Sequence, residues 1–170
     1  MQTQWPSTNS DPIALAYRNW ERAGWEGAAP GMALVTSIMR VQQLLLARVE
    51  AALRPFDLTF ARFEVLMLLT FSSRGELPVG KIGERLQVHP ASVTNAVQRL
   101  EEVELVERVA NPRDGRSVIA RIRPRGRELA HKAAEALNAE VFTHVGLPID
   151  RHAAALEVLA IWRRSHGDFD

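Results

Sequence analysis

Between Pro90 and Leu100 the polar side chains Ser92, Thr94, Asn95, Gln98 and Arg99 alternate with the apolar Val93, Ala96, Val97 and Leu100. The apolar four recur at offsets of three, four and seven, the period of one helical face, so the polar five share the opposite side. Hydroxyls, primary amides and a guanidinium grouped in this way can donate to phosphate oxygens or pair with base edges. A helix lying in a DNA major groove presents its N-terminal part to the bases. His89 and Ala91 stand where this helix begins and join the same candidate surface. An ordinary amphipathic helix with a solvated face shows the same pattern, so the neighbouring sequence has to decide.

From Arg108 to Arg127 there are seven arginines, at 108, 113, 116, 121, 123, 125 and 127, against one acid, Asp114. The formal net charge of the whole chain is only +1. This window is therefore a candidate polyanion footprint. Residues 105–109 and 117–123 alternate as two strands, with Val118, Ala120 and Ile122 on one face and Arg121 and Arg123 on the other. Between them, residues 110–116 read Ala-Asn-Pro-Arg-Asp-Gly-Arg, the chemistry of a hairpin turn. Arg113 and Arg116 at its tip suit a narrow, electronegative minor groove, and Asp114 is placed to hold one of them.

These groups need a frame. Val79, Ile82 and Leu86 mark one side of a short helix, Val88 fits a buried turn position, and Pro90 suits the first position of the next helix. Helix, turn, helix and hairpin make a winged helix-turn-helix, assigned to residues 58–123. Upstream, residues 11–25 read as a short helix carrying Ile13, Leu15, Tyr17, Trp20 and Trp25, separated from the next helix by Gly24 and Gly27 to Gly31. Residues 1–31 are thus an N-terminal extension. A long helix over 32–54 bears Leu34, Ile38, Val41, Leu45 and Val49 on one stripe and stops at Pro55. Thr59 is a suitable N-cap for the next helix, with Phe63, Leu66, Met67 and Thr70 on one face. Downstream, Pro124 starts a helix through Leu129, Ala133, Leu137 and Val141, and Pro148 with Asp150 opens a last one containing Leu156, Leu159 and Trp162. The fold class expected is mainly α with a small β-hairpin wing, flanked by helices at 32–57 and 124–170.

A chain of 170 residues with 46% hydrophobic and 24% charged residues is a globular unit rather than a disordered one. The absence of cysteine excludes disulfides, thiolate zinc sites and thiol-based sensing. No basic segment leads into an apolar run at the N-terminus, and no run of about 18 uninterrupted apolar residues occurs, so a soluble, cytoplasmic protein without membrane contact is expected. His89, His131, His144, His152 and His166 are scattered, with no HExxH pair, Gly-framed serine or glycine-rich phosphate loop. We expect no enzyme activity, no cofactor and no metal. A histidine and carboxylate site assembled in three dimensions is the alternative that metal-dependent DNA binding would reveal.

Residues 86–95 (Leu-Gln-Val-His-Pro-Ala-Ser-Val-Thr-Asn), then Arg99-Leu100-Glu101, Leu105-Val106-Glu107-Arg108 and the wing run Asn111-Pro112-Arg113-Asp114-Gly115-Arg116, resemble the MarR family of bacterial regulators. The resemblance extends from about Met32 to the C-terminus, and its most specific part is the wing. It implies a homodimer whose N- and C-terminal helices intertwine, a pseudo-palindromic duplex DNA operator, repression as the usual outcome, and a minor-groove role for Arg113. Two departures stand out. Asn111 occupies a position where the family usually has Asp, which weakens a wing salt bridge to Arg113, and His89 replaces a small polar N-cap. The family also binds small anionic or aromatic effectors between its dimerisation helices and winged domain. The N-terminal extension resembles that of the branch that includes urate-responsive regulators, which implicates Trp20, then Trp25, with Arg40, Asp57 and Arg62 bordering the crevice. A winged helix that binds protein instead of DNA is the competing reading.

Overall fold

A computed structural model describes residues 11–169 except Arg113 and Arg116. The chain forms two compact units, Met1–Ala51 and Ala52–Asp170.

In the first unit, helix α1 (Pro12–Arg22) opens on Asp11, whose carboxylate accepts the Ile13 N–H at 2.9 Å, with Pro12 in the first turn where no N–H is needed. It stops short of Trp25, the expected end. Gly24 turns left-handed at φ +84°, and the Trp25 N–H returns to the Trp20 carbonyl at 3.0 Å. The two indoles then meet edge to face with centroids 5.3 Å apart. Helix α2 (Ala29–Leu53) begins before the expected Met32. Pro30 suits a first turn, so Gly31 is helical rather than part of a break. The apolar stripe of α2 is periodic as expected but largely uncovered: Val49 is buried, whereas Leu34, Val41 and the neighbouring Val35, Met39 and Leu44 are about half exposed or more. By length and composition alone, Ala29–Phe56 would also suit a membrane, with a mean hydropathy of 1.2 in its most apolar window.

The second unit is built on α3 (Phe60–Phe71). Thr59 caps it as expected, its Oγ1 accepting the Arg62 N–H at 3.4 Å. Phe63, Val65, Leu66 and Leu69 are all buried, more than one stripe, because α3 is the hub on which later elements pack. The predicted face is therefore too narrow: Val65 and Leu69 belong to the core, and Met67 and Thr70 are only half-buried. Next come β1 (Glu76–Pro78), α4 (Val79–Leu86), α5 (Pro90–Glu102), β2 (Val106–Ala110) and β3 (Val118–Ile122). The strands form an antiparallel sheet in the order β1-β3-β2. β1 was not expected, since three residues show no alternation. It forms because β3 has a second edge to pair, and the Ile122 N–H donates to the Gly75 carbonyl at 2.8 Å where β1 begins.

Between α4 and α5 the chain turns on Gln87, at φ +54°, and the Val88 N–H donates to the Gly83 carbonyl at 3.2 Å. The expectation that Val88 fills a buried turn position is wrong, because it is 40% exposed. The helices instead approach through Gly83 and Val93. Val93, Ala96, Val97 and Leu100 of α5 are all buried, as their spacing predicts. In the wing, Ala120 and Ile122 are buried but Val118 is exposed, since it sits at the hairpin end beyond the body.

Helix α6 (Pro124–Leu137) starts at the expected proline and continues through a π-helical turn, Asn138–Phe142. Helix α7 (His152–Ser165) buries none of its residues, leaving Leu156, Val158, Leu159 and Ile161 exposed. The result is a mainly helical protein with a small antiparallel sheet, the class the sequence implies.

Candidate nucleic-acid interface

Helix α5 begins at Pro90 with His89 as its cap: the Nδ1 of the ring accepts the Ala91 N–H at 3.2 Å. The imidazole thus does the work of the small polar residue it replaces, and accepting at Nδ1 leaves the ring proton on Nε2. Ala91, Ser92, Thr94, Asn95, Gln98 and Arg99 are all exposed along one side. Thr94 donates back to the Pro90 carbonyl at 3.0 Å and keeps its oxygen free to accept. Gln98 and Arg99 both donate to Glu102, at 3.2 and 2.9 Å. Glu102 was missed in the sequence, although its offsets of four and three from them are the helical signal for such contacts. Among the described residues, Ser92 and Asn95 have side chains with no hydrogen-bond partner, so both can engage an incoming group. Asn95 and Arg99 lie at the junction of two shallow depressions, one shared with Thr94 and Gln98, the other with Ser92 and Arg62.

The arginine-rich window needs correction. Arg108 pairs with Glu101 at 2.6 Å, Arg121 with Glu76 and Glu107 at 2.8 and 2.9 Å, and Arg123 lies within 4 Å of Glu104 and Glu107. Arg127 donates to the Thr70 carbonyl at 3.0 Å. A count along the sequence saw one acid, but folding brings four from α5, the turn after it, β1 and β2. The candidate footprint therefore loses Arg108, Arg121, Arg123 and Arg127. The Glu76 carboxylate, and then that of Glu107, raises the pKa of Arg121. Burial alone would raise Glu101, but two hydrogen bonds from Arg108 and the charges of Arg108 and Arg123 outweigh it and hold this carboxyl below its ordinary value. A depressed carboxylate stabilises the fold at neutral pH, and that contribution is lost as the pH falls through its lowered value.

The hairpin is closed by Asn111, whose amide donates to Ser117 Oγ at 2.7 Å, while that hydroxyl reaches the Asp114 carbonyl at 3.2 Å. The departure from Asp at this position thus supplies a neutral cross-hairpin tie. Asp114 is exposed, while Arg113, Arg116 and the pairing expected between one of them and Asp114 lie outside the described residues.

Of the five candidate effector residues, Asp57 and Arg62 come together in a cleft of about 420 Å³, with Phe56, Leu105, Leu129 and Arg125 also lining it. Asp57 takes a left-handed φ of +53° there, a conformation Asp tolerates. Arg62 is steadied by Thr59, whose Oγ1 accepts its Nε–H at 3.2 Å. Lys132, also on the cleft, donates to Glu128 at 2.7 Å, which lowers the carboxyl and raises the amine. Arg125, counted in the sequence with the arginine window, lines this cleft as well, a placement that only the fold reveals. Trp20 and Trp25 meet each other in the first unit, where Arg40 donates to Gln43 at 3.4 Å. Among the described residues, no three or more His, Asp or Glu side chains are grouped so as to hold a metal ion.

Comparison with known proteins agrees with this geometry. The sequence profile of the MarR family matches residues 58–118. A MarR family transcriptional regulator from Streptomyces coelicolor superposes with a TM-score of 0.75 and 48% identity, over 83% of this chain and 98% of its own. An HTH-type transcriptional repressor of Mycobacterium bovis is 31% identical over 128 residues, 74% of this chain and 91% of the relative. An HTH-type transcriptional regulator of Bacillus subtilis is 34% identical over 85 residues, 50% of this chain, which spans 54% of that relative's length. Helix-turn-helix, hairpin and a relative matched over nearly its whole length point the same way, and the chain belongs to the MarR family of DNA-binding transcriptional regulators.

Proposed function

We propose that the protein is a homodimeric, effector-released repressor that reads a pseudo-palindromic operator. The observation that carries this reading is the exposed polar side of α5, with Ser92 and Asn95 unengaged, beside a hairpin whose tip sequence holds two arginines. Two-fold pairing would put two copies of α5 in successive major grooves, about one helical turn apart. In each copy Ser92, Thr94, Asn95 and Gln98 read or position the bases, His89 and Ala91 frame the entry, and Arg113 and Arg116, with Asp114, serve the minor groove. Arg99 grips phosphate. Its pair with Glu102 leaves both side chains about half exposed or more, a contact of roughly 0–1 kcal/mol that a phosphate can displace.

The uncovered apolar side chains of α2 and α7 are what a second copy would bury. Arg40, Gln42, Gln43 and Arg48 within α2 favour a protein partner over a bilayer. The cleft holding Arg62 and Arg125 suits a small aromatic or aliphatic anion, since an arginine can take a carboxylate in bidentate fashion above apolar walls. Trp20, Trp25 and Arg40 support a urate-type effector through the likeness of the N-terminal extension. The protein then acts in the cytoplasm, where its operator is.

An anisotropy titration against its own upstream intergenic DNA and a scrambled control, at two salt concentrations and with or without urate, tests this reading. Tight, selective, salt-sensitive binding weakened by urate is expected. Arg113→Ala should weaken binding to every sequence and reduce the slope of log K on log salt by about 1. Asn95→Ala should instead relax preference at particular bases by about tenfold or more, the worth of one good base contact. Equal weak binding to both DNAs would favour a protein-interaction module, and an unchanged slope for Arg113→Ala would remove the wing assignment.

A further inference from the structure

β2 is an edge strand, so one side of its backbone has no strand partner. At the middle of that strand the open N–H is taken by a side chain: Glu101, in the last turn of α5, accepts the Arg108 N–H through Oε1 at 3.0 Å and the Arg108 guanidinium Nε–H through Oε2 at 2.6 Å. Helix and strand are already joined by a tight turn, in which Glu104 is left-handed at φ +58° and the Leu105 N–H donates to the Leu100 carbonyl at 2.9 Å. The Glu101–Arg108 contact is a second tie across it and closes a ring.

The position of the ring matters. At about 1.5 Å per helical residue, Glu101 lies roughly 9 Å along α5 from Asn95. At about 3.3 Å per strand residue, Arg108 lies roughly 10 Å along β2 from Asn111, where the hairpin closes. The tie thus stands near the midpoint between the base-reading part of α5 and the start of the wing turn, where a small change in angle moves both ends.

We propose that Glu101 is a positioning residue for DNA recognition, fixing the angle between α5 and the wing by clamping Arg108, and that Arg108 serves this clamp instead of gripping phosphate. The inference rests on the reading of the wing as a minor-groove element. It also makes a prediction opposite in sign to simple electrostatics. Removing a negative charge beside DNA should tighten binding, whereas opening the clamp weakens it because helix and wing no longer fit their grooves together.

The test is footprinting of the full-length protein on its upstream DNA, with dimethyl sulfate reporting guanine N7 in the major groove and hydroxyl radicals reporting the minor groove. E101Q and Arg108→Ala are expected to keep the major-groove protection, lose the wing protection, and weaken affinity by about tenfold, the worth of one groove contact. Neither should reduce the salt slope, whereas Arg113→Ala should. Arg108→Lys, which keeps a cationic N–H donor opposite the Glu101 carboxylate where Arg108→Ala removes it, guards against a folding defect and should retain most of the wing protection. The clamp is overturned if E101Q binds as tightly as the parent with both footprints intact, or if both footprints fade together as they would on unfolding. If Arg113→Ala leaves the wing protection in place, the minor-groove reading itself has failed and the clamp falls with it. If Arg113→Ala clears that protection and E101Q does not, only the clamp is lost.

Discussion

Met39→Glu combined with Leu156→Glu should convert the protein to monomers and reduce operator affinity by about two to four orders of magnitude. Met39 in α2 is 61% exposed and Leu156 in α7 is 66% exposed in the single chain, each among further uncovered aliphatic side chains. A helix such as α7, which carries that many apolar residues and buries none, cannot be accounted for by its own fold. Covering the two surfaces with a second copy removes them from water, and a carboxylate placed in each would have to be desolvated without a partner. The DNA consequence comes from linkage of two half-sites. In the proposed dimer, once one α5 is seated, the second would bind at an effective concentration in the millimolar range, which would be worth about 10²–10⁴ in affinity without any new contact. Light scattering during size exclusion and an anisotropy titration on one operator would check both parts. A double variant that stays dimeric, or a monomer that binds as tightly as the parent, would sink the dimer assignment.

The distance over which a feature is decided explains which parts of this were readable in advance. The four buried residues of α5 follow from a local period, and the starts of α3, α5 and α6 follow from Thr59, Pro90 and Pro124, single residues that act on the next turn. The candidate reading surface was legible for the same reason, since burying one face of α5 exposes the other. β1 was not legible, because three residues become a strand only when β3 supplies the edge. The arginine window misled because charge was counted along the chain, whereas Glu76, Glu101, Glu104 and Glu107 neutralise Arg108, Arg121 and Arg123 in space. Arg125 escaped notice in the effector cleft, and Glu101 as a clamp, because both depend on contacts between elements. Val88 was misplaced because a left-handed Gln87 redirects the chain, and Gln is not a residue that announces this conformation.

Gly126 is another position whose reason is tertiary, and adding a single methyl there should be strongly destabilising. Gly126 lies in the first turn of α6, directly over the Leu105 carbonyl just before β2, and Arg123 N–H donates to that same oxygen at 3.0 Å. A Cβ built on Gly126 would stand 2.1 Å from the Leu105 oxygen, 2.9 Å from its carbonyl carbon and 3.2 Å from Ile122 Cγ1. The two closest neighbours are backbone atoms, so no rotamer change relieves the clash. The start of α6 would have to lift off the turn that joins α5 to the wing. Gly126→Ala should therefore reach or pass the upper end of the overpacking range, about 3 kcal/mol. At roughly 2–4 °C per kcal/mol for a chain of this size, the melting midpoint should fall by about 6–12 °C. Gly80→Ala is the matched control: Gly80 lies in α4, its Cβ would meet nothing within 4 Å, and the change should stabilise by about 0.4–1 kcal/mol by restricting the unfolded chain. Thermal unfolding of both variants at one protein concentration separates them. If Gly126→Ala melts with the parent, α6 does not sit on the Leu105 carbonyl as described, and the contact that joins the C-terminal helices to the base of the wing would have to be redrawn.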